Sequence, residues 1–201
     1  MNLFEKLFGR TKLKRDESSE DEERGKFMPA PEMPVDDKFL INFKENGGKF
    51  LYCTDQRDVE TTFEAILDEN DWADEVYCMD NNLKNLFNKF DLNFTNNGDT
   101  DFGLLTCEYL IADTGAILLS SNQVGEKKPN ELPKNLVVFA GTSQLIENLS
   151  DGLRLINTRR NNLPTNIRAI KNFDPYTESD GHFMNYGSTS KNLYLLLLED
   201  L

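Results

Sequence analysis

One carboxylate of the sequence, Glu108, lies within an otherwise apolar run at residues 104–111. A carboxylate that is removed from water needs a partner or takes a raised pKa, and such groups serve as general acids, bases or nucleophiles. If Glu108 points into the edge of a sheet, it is therefore a candidate catalytic residue. If it points outwards from an edge strand, it is an ordinary surface side chain, and this second interpretation is the simpler one.

Two glycine-containing turns are candidates for binding an anionic small molecule. The 113–115 turn separates two apolar runs, and the 141–143 turn separates a buried strand from a long amphipathic segment. Backbone N–H groups that are free at the start of a helix attract anions, although the same residue types suit any turn between a strand and a helix. We predict that these turns supply the ligand contacts, through Asp113, Thr114, Gly115, Gly141 and Thr142.

The cysteines and the histidine are too widely spaced for a metal site. Cys53, Cys78 and Cys107 form no CxxC pair, and His182 is the single histidine. Zinc and iron–sulfur sites need clustered ligands, so we predict no metal and no cofactor in this chain. An odd number of unpaired cysteines indicates a reducing compartment, and we predict a cytoplasmic protein. The chain also lacks the GxSxG, Walker A and GxGxxG motifs.

A repeated pattern at residues 49–90 indicates how the fold positions these groups. Residues 49–53 read as a strand, and Asp55 then caps a helix with an apolar face. Residues 76–79 read as a second strand, and Asp80 caps the next helix. Strands that alternate with amphipathic helices predict an α/β fold with a mainly parallel sheet flanked by helices. Ligands of such sheets bind at the carboxyl ends of the strands.

The rest of the chain continues the α/β pattern. Strands are predicted at residues 104–111, 116–119, 136–140, 167–170 and 193–198. A long helix is predicted to open at Gly141, with an apolar stripe that runs from Leu145 to Ile156.

The domain organisation follows from composition. We predict a folded α/β domain at residues 35–201, preceded at residues 1–34 by an apolar foot and a disordered, charged linker. The foot, residues 1–15, carries Leu3, Phe4, Leu7 and Phe8 at helical spacing. It suits contact with a membrane surface or a partner protein, but a frayed helix that packs on its own domain or stays free is the simpler interpretation of so short a segment. The net charge of −13 argues against nucleic-acid binding.

Two segments resemble the LUD-domain family of lactate-utilisation proteins. They are ADTGAILL and, after a loop, LPKNLVVFAGTSQLIENLSDGL. The resemblance implies a fold like that of the ribose-phosphate isomerase, glucosamine-phosphate deaminase and CoA-transferase superfamily. It also implies an accessory role in the oxidation of L-lactate to pyruvate beside iron–sulfur partner proteins. The last loop departs from the family pattern, with Asp174-Pro175 where the family has Gly-Pro.

Two other functions fit the same sequence. The first is an enzyme or binding protein for a phosphorylated metabolite or a CoA ester, which rests on analogy between folds. The second is a non-catalytic scaffold or membrane-surface protein, which rests on residues 1–15. The chain carries no complete catalytic motif that decides between an enzyme and a binding protein.

Overall fold

A computed structural model describes residues 33–72, 74–158, 163–173 and 191–200. The helices of this part are α1 (Val35–Glu45), α2 (Gln56–Asn70), α3 (Asn81–Leu86), α4 (Ser121–Val124) and α5 (Leu149–Thr158). The strands are β1 (Lys49–Cys53), β2 (Glu75–Tyr77), β3 (Asn93–Thr95), β4 (Phe102–Leu105), β5 (Tyr109–Ile111), β6 (Ala116–Leu119), β7 (Asn135–Gly141), β8 (Leu145–Ile146), β9 (Arg168–Ile170) and β10 (Asn192–Leu198).

The main sheet has six strands in the order β1-β10-β7-β4-β2-β3, and every neighbouring pair is parallel. Two of its interior strands, β7 and β10, are the continuous apolar runs of the sequence and are buried along most of their length. Runs of this kind fit strands that are covered on both faces. The predicted α/β class with a mainly parallel sheet flanked by helices is therefore confirmed.

The helices between the first strands begin where their capping residues predict. The Asp55 carboxylate accepts hydrogen bonds from the backbone N–H groups of Arg57 and Asp58, and Asp80 caps α3 in the same way. These caps satisfy N–H groups that have no partner inside the helix. Behind α2, the rings of Phe63, Phe87 and Phe102 pack together in a buried core.

A second, four-stranded sheet, in the order β8-β5-β6-β9, was not predicted. Residues 104–111 were expected to form one strand, but β4 ends at Leu105 in the main sheet and β5 belongs to the second sheet. The chain crosses between the sheets at residues 106–108, where the Gln144 amide donates to the carbonyls of Cys107, at 2.7 Å, and Glu108, at 3.3 Å. These contacts satisfy carbonyls that leave the strand ladder at the crossing.

The predicted start of the long helix at Gly141 was wrong. β7 extends to Gly141, a short 3-10 helix follows at Thr142–Gln144, and Leu145 and Ile146 form β8 beside β5. The helix α5 begins only at Leu149, where the Asn148 side chain accepts a hydrogen bond from the Asp151 N–H at 3.0 Å. The apolar residues at 145 and 146 are thus explained by strand pairing rather than by a helical face.

Candidate functional site

The carboxyl ends of β4, β7 and β10 lie side by side, because these three strands are neighbours in the main sheet. Glu108 follows β4, Thr142 follows β7 and Asp200 follows β10. Glu108 and Thr142 are buried. This edge, where open α/β sheets bind their ligands, is the candidate functional site.

Glu108 is buried, with 4% of its surface exposed, so the simpler interpretation as a surface side chain was wrong. Its Oε1 atom accepts hydrogen bonds from Ser120 Oγ at 2.7 Å, Asn122 Nδ2 at 2.9 Å and Gln123 Nε2 at 3.2 Å. These neutral donors stabilise a carboxylate that has left water. We call Glu108, Ser120, Asn122 and Gln123 the Glu108 network.

The local sequence explains why these donors converge on Glu108. Ser120 caps α4, and the Gln123 side chain accepts a hydrogen bond from the Ser120 N–H at 2.8 Å, which completes a capping box. On the other side, the Glu108 N–H donates to the Leu118 carbonyl at 2.8 Å. The β6–α4 turn and the segment after β4 are therefore held together, and the carboxylate lies between them.

The 141–143 turn is occupied by an anion of the chain itself. Asp200 Oδ1 accepts hydrogen bonds from Thr142 Oγ1 and from the Ser143 N–H, each at 2.8 Å, and Oδ2 accepts one from Ser143 Oγ at 2.7 Å. A Cβ atom added to Gly141 would lie 2.0 Å from Asp200 Oδ2. Glycine at 141 is therefore what lets the carboxylate approach the backbone.

Two opposing effects act on the pKa of Asp200. Its partial burial raises the pKa, while the hydrogen bonds from Ser143 and Thr142 lower it. The hydrogen bonds outweigh the burial, so the pKa of this carboxyl lies below its ordinary value. The donors at 142 and 143 thus favour the charged form of an anion.

The 113–115 turn packs against α1. The Asn42 amide donates to the Ala112 carbonyl and the Asn46 amide to the Thr114 carbonyl, each at 2.7 Å, and the Asp113 carboxylate forms an ion pair with Lys38. Gly115 has φ +60°, and a Cβ there would lie 2.3 Å from the backbone of Asn42. Among the described residues, no hydrogen bond joins this turn to the 141–143 turn. The two predicted ligand turns therefore do not form one site through direct contact.

The three cysteines lie near the carboxyl ends of three different strands, β1, β2 and β4, and all are buried. Burial raises the pKa of each thiol, to about 11 in the case of Cys78. Thiols with raised pKa values stay protonated at neutral pH, and protonated thiols are poor nucleophiles and poor metal ligands. His182 lies outside the described residues.

Across residues 33–72, 74–158, 163–173 and 191–200, no group of three or more His, Cys, Asp or Glu side chains is arranged to hold a metal ion. In the same part of the chain, no helix has the length and apolar character needed to cross a bilayer.

Sequence reasoning singled out Glu108 and the 141–143 turn as candidates but missed most of the residues that contact them. A signal for Ser120 and Gln123 was present, since S-x-x-Q is a capping-box pattern that a short helix can use. No local signal links Asp200 to Thr142, because the two residues are far apart in sequence and meet only through the pairing of β7 with β10.

Part of the chain matches a known sequence family, and its fold resembles that of a solved structure. The sequence model described as the LUD domain matches residues 91–181. In structure, the chain is similar to a DUF162 family protein from Deinococcus radiodurans, with a TM-score of 0.57, 11% sequence identity and coverage of 85% of this chain and 99% of that one. No curated protein matches the sequence.

Proposed function

Because residues 91–181 match the LUD domain, which is associated with lactate utilisation, we propose that the chain takes part in the oxidation of L-lactate to pyruvate. It acts as an accessory component beside iron–sulfur partner proteins. Oxidation of lactate releases two electrons and two protons, and the electrons pass to clusters that the partners hold. The separate, buried positions of Cys53, Cys78 and Cys107 support the assignment of those clusters to the partners.

The observation that carries this proposal is where the family match falls. Residues 91–181 contain the whole Glu108 network and the 141–143 turn, but neither α1 nor α2. The part of the chain that resembles the family is thus the part that places buried polar side chains at the carboxyl edge of the sheet. We assign Glu108 as the group that exchanges a proton with the bound substrate.

Anaerobic purification of the full chain from its own cells tests this function. We expect iron–sulfur proteins to copurify, and we expect the isolated assembly to reduce its clusters when L-lactate is added. A chain that purifies without any iron–sulfur protein, at a salt concentration that preserves other complexes of the same cells, contradicts the proposal. We also propose a cytoplasmic location, which the three free thiols support.

A second candidate function is binding of a phosphorylated metabolite or a CoA ester. The observation in its favour is the 141–143 turn, whose donors already hold the Asp200 carboxylate. A phosphate group would need to displace that carboxylate, so D200A should bind ribose 5-phosphate or acetyl-CoA more tightly than the unchanged chain does. Calorimetric titrations that show no binding to either protein would remove this candidate.

The third function, a scaffold or membrane-surface protein, depends on residues 1–15. These residues lie outside the described part of the chain, so this function stays a prediction. Its test is deletion of residues 1–30, which should abolish association with a partner or with vesicles while the domain stays folded.

A further inference from the structure

We propose that a cavity beside α1 is the docking site for residues 1–15 of the same chain, the apolar foot. The cavity has a volume of about 980 Å³. It lies outside the Glu108 network, and the proposal does not depend on the lactate role. It selects one of the alternatives open to the foot, which is packing on its own domain.

The cavity has an apolar side and a polar side. Met33, Val35 and Ile41 contribute apolar side chains, and 50% of Met33 and 45% of Ile41 is exposed. The polar side is formed by Lys38, Asp113 and Glu147. Large apolar side chains exposed together on one concave surface are typical of a site that another apolar segment covers.

The path of the chain brings the foot to this cavity. Met33, the first described residue, is itself part of the lining. The linker between the foot and Met33 comprises residues 16–32 and, as a flexible chain, spans roughly 23 Å on average. Because the linker is short, the effective concentration of the foot at the cavity is roughly millimolar. Even a weak affinity therefore keeps the foot bound.

The foot matches the cavity in its apolar face and in its charge. Leu3, Phe4, Leu7 and Phe8 recur at the spacing of one helical face, which suits an apolar groove. Residues 1–15 carry five basic side chains and one acidic one.

The charged rim of the cavity is net acidic. It combines the carboxylates of Asp113 and Glu147 with the single Lys38, and Asp36 and Asp37 lie in the first turn of the adjoining helix α1. Opposite charges favour the docked arrangement and set its orientation. The acidic block at residues 16–23 is repelled by the same rim and remains in the linker.

Photo-crosslinking in the full chain tests the docking. With p-benzoyl-L-phenylalanine in place of Ile41, irradiation followed by peptide mass spectrometry should give crosslinks to residues 1–15. A mixture of isotopically light and heavy protein shows whether both ends of a crosslink come from one molecule. The matched control places the same probe at Leu155, which is 39% exposed on α5, and it should give no crosslink to the foot.

Two variants complete the test. The double substitution Phe4→Asp and Leu7→Asp should reduce the Ile41 crosslink at least tenfold while circular dichroism stays unchanged. If the probe at Ile41 unfolds the domain, the same probe in place of Met33 gives the equivalent measurement.

Three results would overturn the proposal. The first is crosslinks that join only different molecules, which would indicate a second copy. The second is equal crosslinking from Ile41 and Leu155. The third is a foot that binds anionic lipid vesicles equally well whether or not Ile41 is changed to Asp.

Discussion

The 113–115 turn and the 141–143 turn look alike in sequence, yet the structure surrounds them with opposite chemistry. The first turn presents carbonyl oxygens, which Asn42 and Asn46 bind with their amide groups. The second presents donors, the Ser143 N–H and two hydroxyl groups, which bind the Asp200 carboxylate. The second arrangement already holds an anion of the chain itself. A glycine turn therefore reveals its ligand chemistry through the direction of its polar groups, not through residue type alone.

The largest expected effect tests how tightly the 113–115 turn is held. Gly115→Ala should destabilise the domain by about 3 kcal/mol or more, because it combines a left-handed backbone with a clash against Asn42. Gly125→Ala is the control for backbone strain without a backbone clash, because at φ +59° and ψ −135° only the flexible Met79 side chain lies nearby, and it should cost about 1 to 2 kcal/mol. Chemical denaturation measures both. Equal losses of stability in the two variants would show that contact with α1 does not constrain the 113–115 turn.

A smaller effect is expected in the Glu108 network beside the 141–143 turn. Glu108→Ala leaves Ser120, Asn122 and Gln123 without their shared acceptor, and an unpaired buried donor costs about 1 to 3 kcal/mol. We expect a total loss of about 2 to 3 kcal/mol in denaturation experiments. Glu64→Ala, an exposed carboxylate on α2, should change stability by less than about 0.5 kcal/mol. A similar small change for Glu108→Ala would contradict the network.

The smallest effect concerns the anion at the 141–143 turn. Asp200→Ala should lower stability at pH 7 by about 0.5 to 1 kcal/mol, a modest value because Asp200 is exposed to solvent. The folded pKa of Asp200 is depressed, so its contribution is complete above the unfolded pKa of about 3.9. The contribution is lost as the pH falls through the folded value. Stability curves of the two proteins should thus converge at low pH, and a constant offset would argue against the ionised contact.

The features predicted correctly from sequence depend on neighbours in the chain. Asp55 and Asp80 cap their helices because a cap needs only the next three residues. The continuous apolar runs at β7 and β10 also predicted buried strands from their own residues alone. These local patterns were sufficient to predict the α/β class and the carboxyl edge of the sheet.

The errors arose where distant pairing decides the structure. Leu145 and Ile146 have helical spacing relative to Leu149, but they pair with β5 and form the strand β8 instead of a helix. Glu108 was expected at the surface because its donors follow later in the chain, beyond the β5–β6 hairpin. Asp200 reaches Thr142 only because β7 and β10 pair in parallel. The partners in these contacts lie 12 to 58 residues apart in the chain, and no helix or strand period links them.

One measurement tests most directly whether the Glu108 network serves lactate oxidation. The assembly with iron–sulfur partners is rebuilt with the unchanged chain, with Glu108→Gln or with Glu64→Gln, and cluster reduction by L-lactate is followed by absorbance. We predict a rate at least tenfold lower for Glu108→Gln, with partner binding and thermal melting retained, and an unchanged rate for Glu64→Gln. Equal rates for all three assemblies would contradict the claim.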